Sequence, residues 1–180
     1  DSDWYSVDLA TNSFGQGVTA TPIQLMMAAS SIANEGTMVT PHLLYGMVRD
    51  NKQYNFPPQD AGRPISRETA IVLNEMLANS LNVEGSQATL PDYRLVGKTG
   101  TAEIPTEYGS YSNAQTNASF IGWGPVDDPQ FMIYVWLEKP TLSIWASYTA
   151  APVFADVAEI TTQILNIPPD LIRLQYAAGQ

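Results

Sequence analysis

Val96-Gly97-Lys98-Thr99-Gly100-Thr101-Ala102-Glu103 is the stretch on which the reading of this 180-residue chain turns. Its Gly-Lys-Thr run first suggests a phosphate-binding loop, which needs another glycine five positions before Gly97 and a helix opening at the lysine. Asp92 holds that position, and Lys98 falls inside a segment, Arg94 to Ala102, that reads as a strand. The phosphate-loop reading fails on both counts. In a strand, side chains alternate, so Lys98 and Gly100 share one face while Gly97, Thr99 and Thr101 share the other. The glycines let another backbone approach closely. An extended peptide can hydrogen-bond along such an edge while Lys98 or the threonine hydroxyls hold a carboxylate. Without its flanks, Lys98 reads as a solvated strand-end lysine, because short motifs recur by chance.

Downstream, Pro105 to Asn117 reads as a polar loop rich in Tyr, Ser and Asn, long enough to be functional, with Tyr108 to Asn117 either lining a cleft or solvated. Ala118 to Trp123 and Phe131 to Leu137 read as two further strands joined by a turn at Pro125-Val126-Asp127-Asp128-Pro129. Val153, Val157, Ile160 and Ile164 repeat at helical spacing, predicting a closing helix from about Pro152 to Leu165 with a tail opened by Pro168-Pro169. Upstream, residues 1–18 show no sustained period and read as extended or looped. Thr21-Pro22-Ile23-Gln24 offers a capping box with proline at the first helical position, and a helix follows to about Glu35. Its apolar positions wrap so far round that it is expected to be buried on most sides. Gly36 suits the left-handed position after it. Leu43 to Val48 reads as a short strand, Arg49 to Gln53 as a turn and Phe56 to Gly62 as loop. Ser66 caps a helix over 67–81 with Ala70, Leu73, Leu77 and Leu81 inward. Consecutive strands followed by a helix predict an α+β fold, an antiparallel sheet with helices packed on its faces.

Composition narrows the chemistry. A hydrophobic fraction of 44% supports a real core, so disorder is excluded. The net charge of -10 repels a phosphate backbone or an anionic lipid surface, which argues against nucleic acid and against membrane contact by this segment. The chain has no cysteine and one histidine, so disulfides, thiol catalysis and an ordinary zinc site are out, and neither metal nor other cofactor is expected. His42 reads as a loop or strand-edge residue, the four tryptophans as core or loop packing, and Asp127-Asp128 as surface charge. No apolar run reaches the roughly 18 residues of a membrane span. The start at Asp1, without initiator Met or basic leader, suggests an excised or processed piece.

Lys-Thr-Gly on a strand is a signature of penicillin-binding proteins and serine β-lactamases. The flanks carry the likeness further. Ser13-Phe14-Gly15-Gln16-Gly17, Thr21-Pro22 with Gln24-Leu25, and Ala33-Asn34-Glu35-Gly36 resemble the Gly-Gln-Gly segment and following helix of the class B penicillin-binding protein transpeptidase domain. Phe120-Ile121-Gly122-Trp123 with Pro125, and Ala151-Pro152-Val153-Phe154, resemble that family's strand and closing-helix segments, in the family's order.

The resemblance implies a partial penicillin-binding/serine β-lactamase-like fold. It implies a peptidoglycan D,D-transpeptidase that cross-links stem peptides ending in D-Ala-D-Ala, is acylated by β-lactams, and works on the outer face of the bacterial cytoplasmic membrane. The family's nucleophile lies in Ser-x-x-Lys. Here Lys52, Lys98 and Lys139 are preceded three residues earlier by Arg49, Leu95 and Trp136, so that motif is missing. Ser80-Leu81-Asn82 spells the family's Ser-x-Asn, but it falls after the Gly-Gln-Gly segment instead of before it, and is read as coincidence. Residues 1–180 are therefore expected to be the C-terminal part of a transpeptidase domain, inactive alone, whose partner is the upstream half of the same domain. By resemblance Lys98 completes the proton network, Thr99, Gly100 and Thr101 bind substrate, and the Thr101 backbone N–H forms half of the oxyanion hole. The alternatives are a β-lactamase or β-lactam-sensor relative, which should lack these flanks as they stand, and a noncatalytic peptide-binding pseudoenzyme.

Overall fold

The computed structural model of the chain describes residues 5–13, 15, 17–83, 86–105 and 111–178. Two compact units emerge, Thr21–Met76 and Asp1–Ala20 with Leu77–Gln180. Trp4, Phe14, Gln16, Gly85 and Tyr108 lie outside the described residues.

In the Thr21–Met76 unit, helix α2 (Pro22–Ala33) starts as the sequence predicts. The Thr21 hydroxyl accepts from the Gln24 N–H at 3.4 Å, and the Gln24 side chain accepts the Thr21 N–H at 2.8 Å. Gly36 takes φ +95 after it, in a cleft where a Cβ would lie 2.6 Å from the Ile65 carbonyl, so only glycine fits. The expected burial of α2 is not found: only Ser31 is buried, and Ile23 remains 49% exposed. Its apolar wrap is wider than the short strand β1 beside it can cover. Strand β1 (Met38–Thr40) pairs antiparallel with β4 (Gln59–Gly62), where a loop was expected. Gln59-Asp60-Ala61-Gly62 has no apolar alternation to announce a strand. Strands β2 (Gly46–Arg49) and β3 (Lys52–Asn55) form a hairpin, so the expected strand begins later and the expected turn narrows to Asp50-Asn51. Those two take φ 52 and 58, the left-handed pair of a tight hairpin turn that Asp and Asn tolerate. Helix α3 (Arg67–Leu81) matches its prediction, with Ala70 buried in this unit and Ala78 and Leu81, past Met76, buried in the other.

The other unit opens with helix α1 (Ser6–Asn12), a correction to the looped reading of residues 1–18. Its start is local, because the Asp8 carboxylate accepts the Tyr5 N–H at 2.7 Å. The main sheet is antiparallel in the order β5 (Val96–Pro105), β6 (Tyr111–Gly124), β7 (Phe131–Glu138). Residues 111–117, expected within a loop, instead extend β6, and only 106–110 of that loop lie outside the described residues. Ladder pairing with β5 overrides their polar composition, with an irregularity between Glu103 and Ile104.

Helix α4 (Ala150–Ile164) packs on β6 and β7. Its buried residues are Ala150, Ala151, Phe154, Ala158 and Thr162, whereas the stripe read from the sequence faces outward, with Val157 39% and Ile164 72% exposed. The sheet selects this face by shape. Gly122 has no side chain, which leaves room for the Phe154 ring, and that ring meets Phe120 with centroids 4.5 Å apart. Leu81, Leu95, Ala118, Phe120 and Phe154 anchor one core. Trp123 joins the buried set, but Trp136 and Trp145 are half exposed, correcting the packing role assigned to them.

The tail is a further correction, since Pro168-Pro169 lead into helix α5 (Asp170–Ala178). Asp170 accepts the Arg94 N–H at 2.6 Å and donates its own N–H to the Asp92 carbonyl at 3.0 Å. Tyr93 O–H donates to the Ile167 carbonyl at 2.7 Å, and Arg173 bridges Asp170 and Asp127. The tail thereby fixes the residues that lead into β5.

Candidate active site

Strand β5 places the motif as the alternation demands. Lys98 pairs with Ile121, Thr99 with Phe120, Gly100 with Ser119 and Thr101 with Ala118. Gly97 faces the helix side, where a Cβ would come 2.5 Å from the Phe120 ring. Gly100 faces the other side, where a Cβ would come 2.6 Å from Ser119 Oγ. Both glycines therefore buy close approach of side chains across the ladder. In the described sheet β5 pairs only with β6, so its other edge presents backbone N–H and C=O groups for an added chain.

Lys98 is exposed, and its Nζ donates to the Thr99 carbonyl at 3.0 Å and to Thr99 Oγ1 at 3.4 Å. Neither acceptor carries a charge, which leaves the ammonium available to an anion. Lys98 and Thr99 line a pocket of about 180 Å³. Its other walls include Leu81, Ala88 and Phe120 as an apolar floor, and Ser80, Ser147 and Tyr148 as polar groups.

Gly100 and Thr101 do not line this pocket. Thr101 Oγ1 accepts the Ala146 N–H at 3.3 Å, tying the motif strand to the 3-10 turn Ala146–Tyr148 that precedes α4. Thr116 Oγ1 donates to the Ile144 carbonyl at 2.7 Å and makes a parallel tie from β6. The turn thus holds Ser147 and Tyr148 at the pocket. No spacing in the sequence announces those two residues, because they reach the site through tertiary hydrogen bonds made by threonines on other elements. Ser80, read from its place in the chain as a coincidental match, lines the pocket because α3 ends there. His42 is exposed, and its Nδ1 lies 3.0 Å from the Leu44 carbonyl. Asp127 is not merely surface charge, since it pairs with Arg173. Among the described residues no group of three His, Cys, Asp or Glu is arranged to hold a metal ion.

The family model of the penicillin binding protein transpeptidase domain matches residues 1–159. The chain belongs to this family. Among its curated relatives, a peptidoglycan D,D-transpeptidase FtsI homolog of Mesostigma viride is 30% identical over 96% of this chain and 31% of its own length. The stage V sporulation protein D of Bacillus subtilis is 33% identical over 91% of this chain and 26% of its own. Penicillin binding protein 3 of Mycobacterium tuberculosis, solved in complex with ampicillin, superposes with a TM-score of 0.81 at 27% identity, over 93% of this chain and 40% of that one. The chain thus spans about a third or less of the length of these curated relatives. Within this transpeptidase family match lie the motif strand, the pocket walls and most of α4, while α5 lies beyond it. The α+β architecture expected from the resemblance is the one this family of transpeptidase domains has.

Proposed function

We propose that this chain is the C-terminal part of the transpeptidase domain of a peptidoglycan D,D-transpeptidase, acting outside the bacterial cytoplasmic membrane. The observation that carries the reading is an open-edged Lys-Thr-Gly strand with Lys98 and Thr99 at the wall of a pocket. A serine from the upstream half of the domain attacks the carbonyl carbon of the penultimate D-Ala. Its oxygen bonds to that carbon, the amide C–N bond breaks, and the terminal D-Ala leaves with a proton on its nitrogen. The amine of a second stem peptide then attacks the acyl-serine, forms the new amide and returns a proton to the serine oxygen. Lys98 supplies positive charge to the proton relay and to the substrate carboxylate, which the Thr99 and Thr101 hydroxyls also bind. The extended peptide lies along the Gly100 backbone, and the Thr101 N–H stabilises the oxyanion. A β-lactam enters by the same first step; the mycobacterial relative solved in complex with ampicillin supports β-lactam binding by such a domain.

The test is intact-protein mass spectrometry of the full-length protein after incubation with a labelled penicillin. One drug mass on a serine outside residues 1–180 is expected. Lys98→Ala should slow its appearance by about 100-fold or more, the scale of a lost proton-transfer group. An adduct within this chain, or unchanged kinetics in the variant, overturns the proposal.

A further inference from the structure

The β2–β3 hairpin carries a feature that the transpeptidase site does not use. Register pairs Met47 with Tyr54 and Arg49 with Lys52, and the Phe56 N–H extends the ladder by donating to the Tyr45 carbonyl at 2.9 Å. Alternation puts Tyr45, Met47 and Arg49 on the same face as Lys52, Tyr54 and Phe56. One face therefore has an aromatic pair, a Met–Tyr pair and a cation pair in consecutive rungs. Tyr45 is 83% exposed and Tyr54 45% exposed, so the rings are open to solvent. Lys52 has no ion-pair partner among the described residues, and Arg49 has only the exposed Asp50 at 3.7 Å. Between Pro41 and Pro58 Asp50 is the one acid, in a chain whose net charge is -10. An anionic partner is repelled by most of the surface and admitted here.

Rings in a row bordered by cations suit a polymer of sugars bearing carboxylates. The C–H faces of pyranose rings lie against aromatic rings, and carboxylates on appended peptides reach the guanidinium and ammonium groups. We infer that this hairpin face is a docking surface for the glycan strand of peptidoglycan, with its acidic peptides directed to Arg49 and Lys52. The identity of the polymer rests on the function proposed above, whereas the aromatic and cationic face does not.

The experiment is co-sedimentation of the full-length protein with insoluble peptidoglycan sacculi, untreated or with carboxylates converted to neutral amides. Tyr45→Ala with Tyr54→Ala should weaken retention about tenfold, as loss of anchor aromatics does at other surfaces. Arg49→Ser with Lys52→Ser should weaken it on untreated sacculi and have no effect on amidated ones. Circular dichroism confirms that each variant is folded, and labelled-penicillin acylation reports the transpeptidase site separately. Lost retention with normal acylation supports the inference, and lost acylation of the unmutated protein with hairpin-dependent retention defeats the proposed function alone. Undiminished retention in both variants overturns the inference.

Discussion

Gly97 and Gly100 are three residues apart in one strand, yet their missing side chains make room for different neighbours. At Gly97 an added Cβ meets the Phe120 ring at 2.5 Å, and that ring is 2% exposed and packed at a tilt against Phe154. Gly97→Ala should cost about 1–3 kcal/mol in urea unfolding of the full-length protein, the scale of overpacking. Gly100→Ala meets only Ser119 Oγ, at 2.6 Å, which can rotate away from its 3.4 Å bond to the Gly100 carbonyl, so its cost should be smaller. A reversed order in the same assay overturns this account. Glu35 gives a prediction in pH. Two bonds of 2.7 Å from the Arg67 guanidinium hold its carboxyl below the ordinary 4.5, with partial desolvation opposing them. The contribution is present above the ordinary value and lost as pH falls through the depressed one. The Glu35 carboxyl carbon should titrate below 4.5 by NMR and move up in Arg67→Ala. The effect on stability should be slight, because both side chains are more than half exposed. The motif spelling and face alternation were legible in sequence; the ring that makes Gly97 obligatory was not, because Phe120 is brought there by strand pairing.

Helices show where local signals suffice and where they fail. The Thr21 cap and Gln24 return bond form within four residues, and Thr21→Ala should lower stability by about 1 kcal/mol. The start of α2 was readable for that reason. Helix α4 has the predicted spacing and the opposite orientation. Spacing reports that an apolar stripe exists, but the sheet's shape decides which stripe it accepts, and Gly122 accepts Phe154. Phe154→Ala should cost about 3–5 kcal/mol in the full-length protein, whereas Val157→Ser should cost far less there, since Val157 is 39% exposed. Denaturant titrations of both variants check this, and equal costs would defeat the assignment of faces. Helix α5 escaped detection because two prolines look like a terminator, although proline is equally suited to opening a helix. Asp170→Ala removes the acceptor of the Arg94 N–H and should speed hydrogen exchange at that amide, while unchanged exchange would show that the clamp does not hold.

At the scale of the molecule, sheet and helix surfaces are left open. Among the described strands β5 and β7 are each paired on one side only, and Val157, Ile160 and Ile164 on α4 remain exposed. Unpaired edges and an uncovered apolar stripe forgo the burial that balances chain entropy. The isolated 180-residue chain should therefore unfold without a single cooperative transition in circular dichroism, and a sharp two-state melt would overturn that expectation. The sequence by itself determined the order of the main elements, the capped helix starts, the antiparallel character of the strands and the faces of the motif strand. Each depends on residues within a turn or two of one another, or on a motif carried intact in the chain. Only the tertiary structure decided which face of α4 is buried, how far β6 extends, that the tail clamps the approach to β5, and that Thr101 ties the turn bearing Ser147 and Tyr148 to the pocket. Those outcomes depend on the shape and hydrogen-bonding groups that distant segments present to each other, which periodicity along a single segment does not encode.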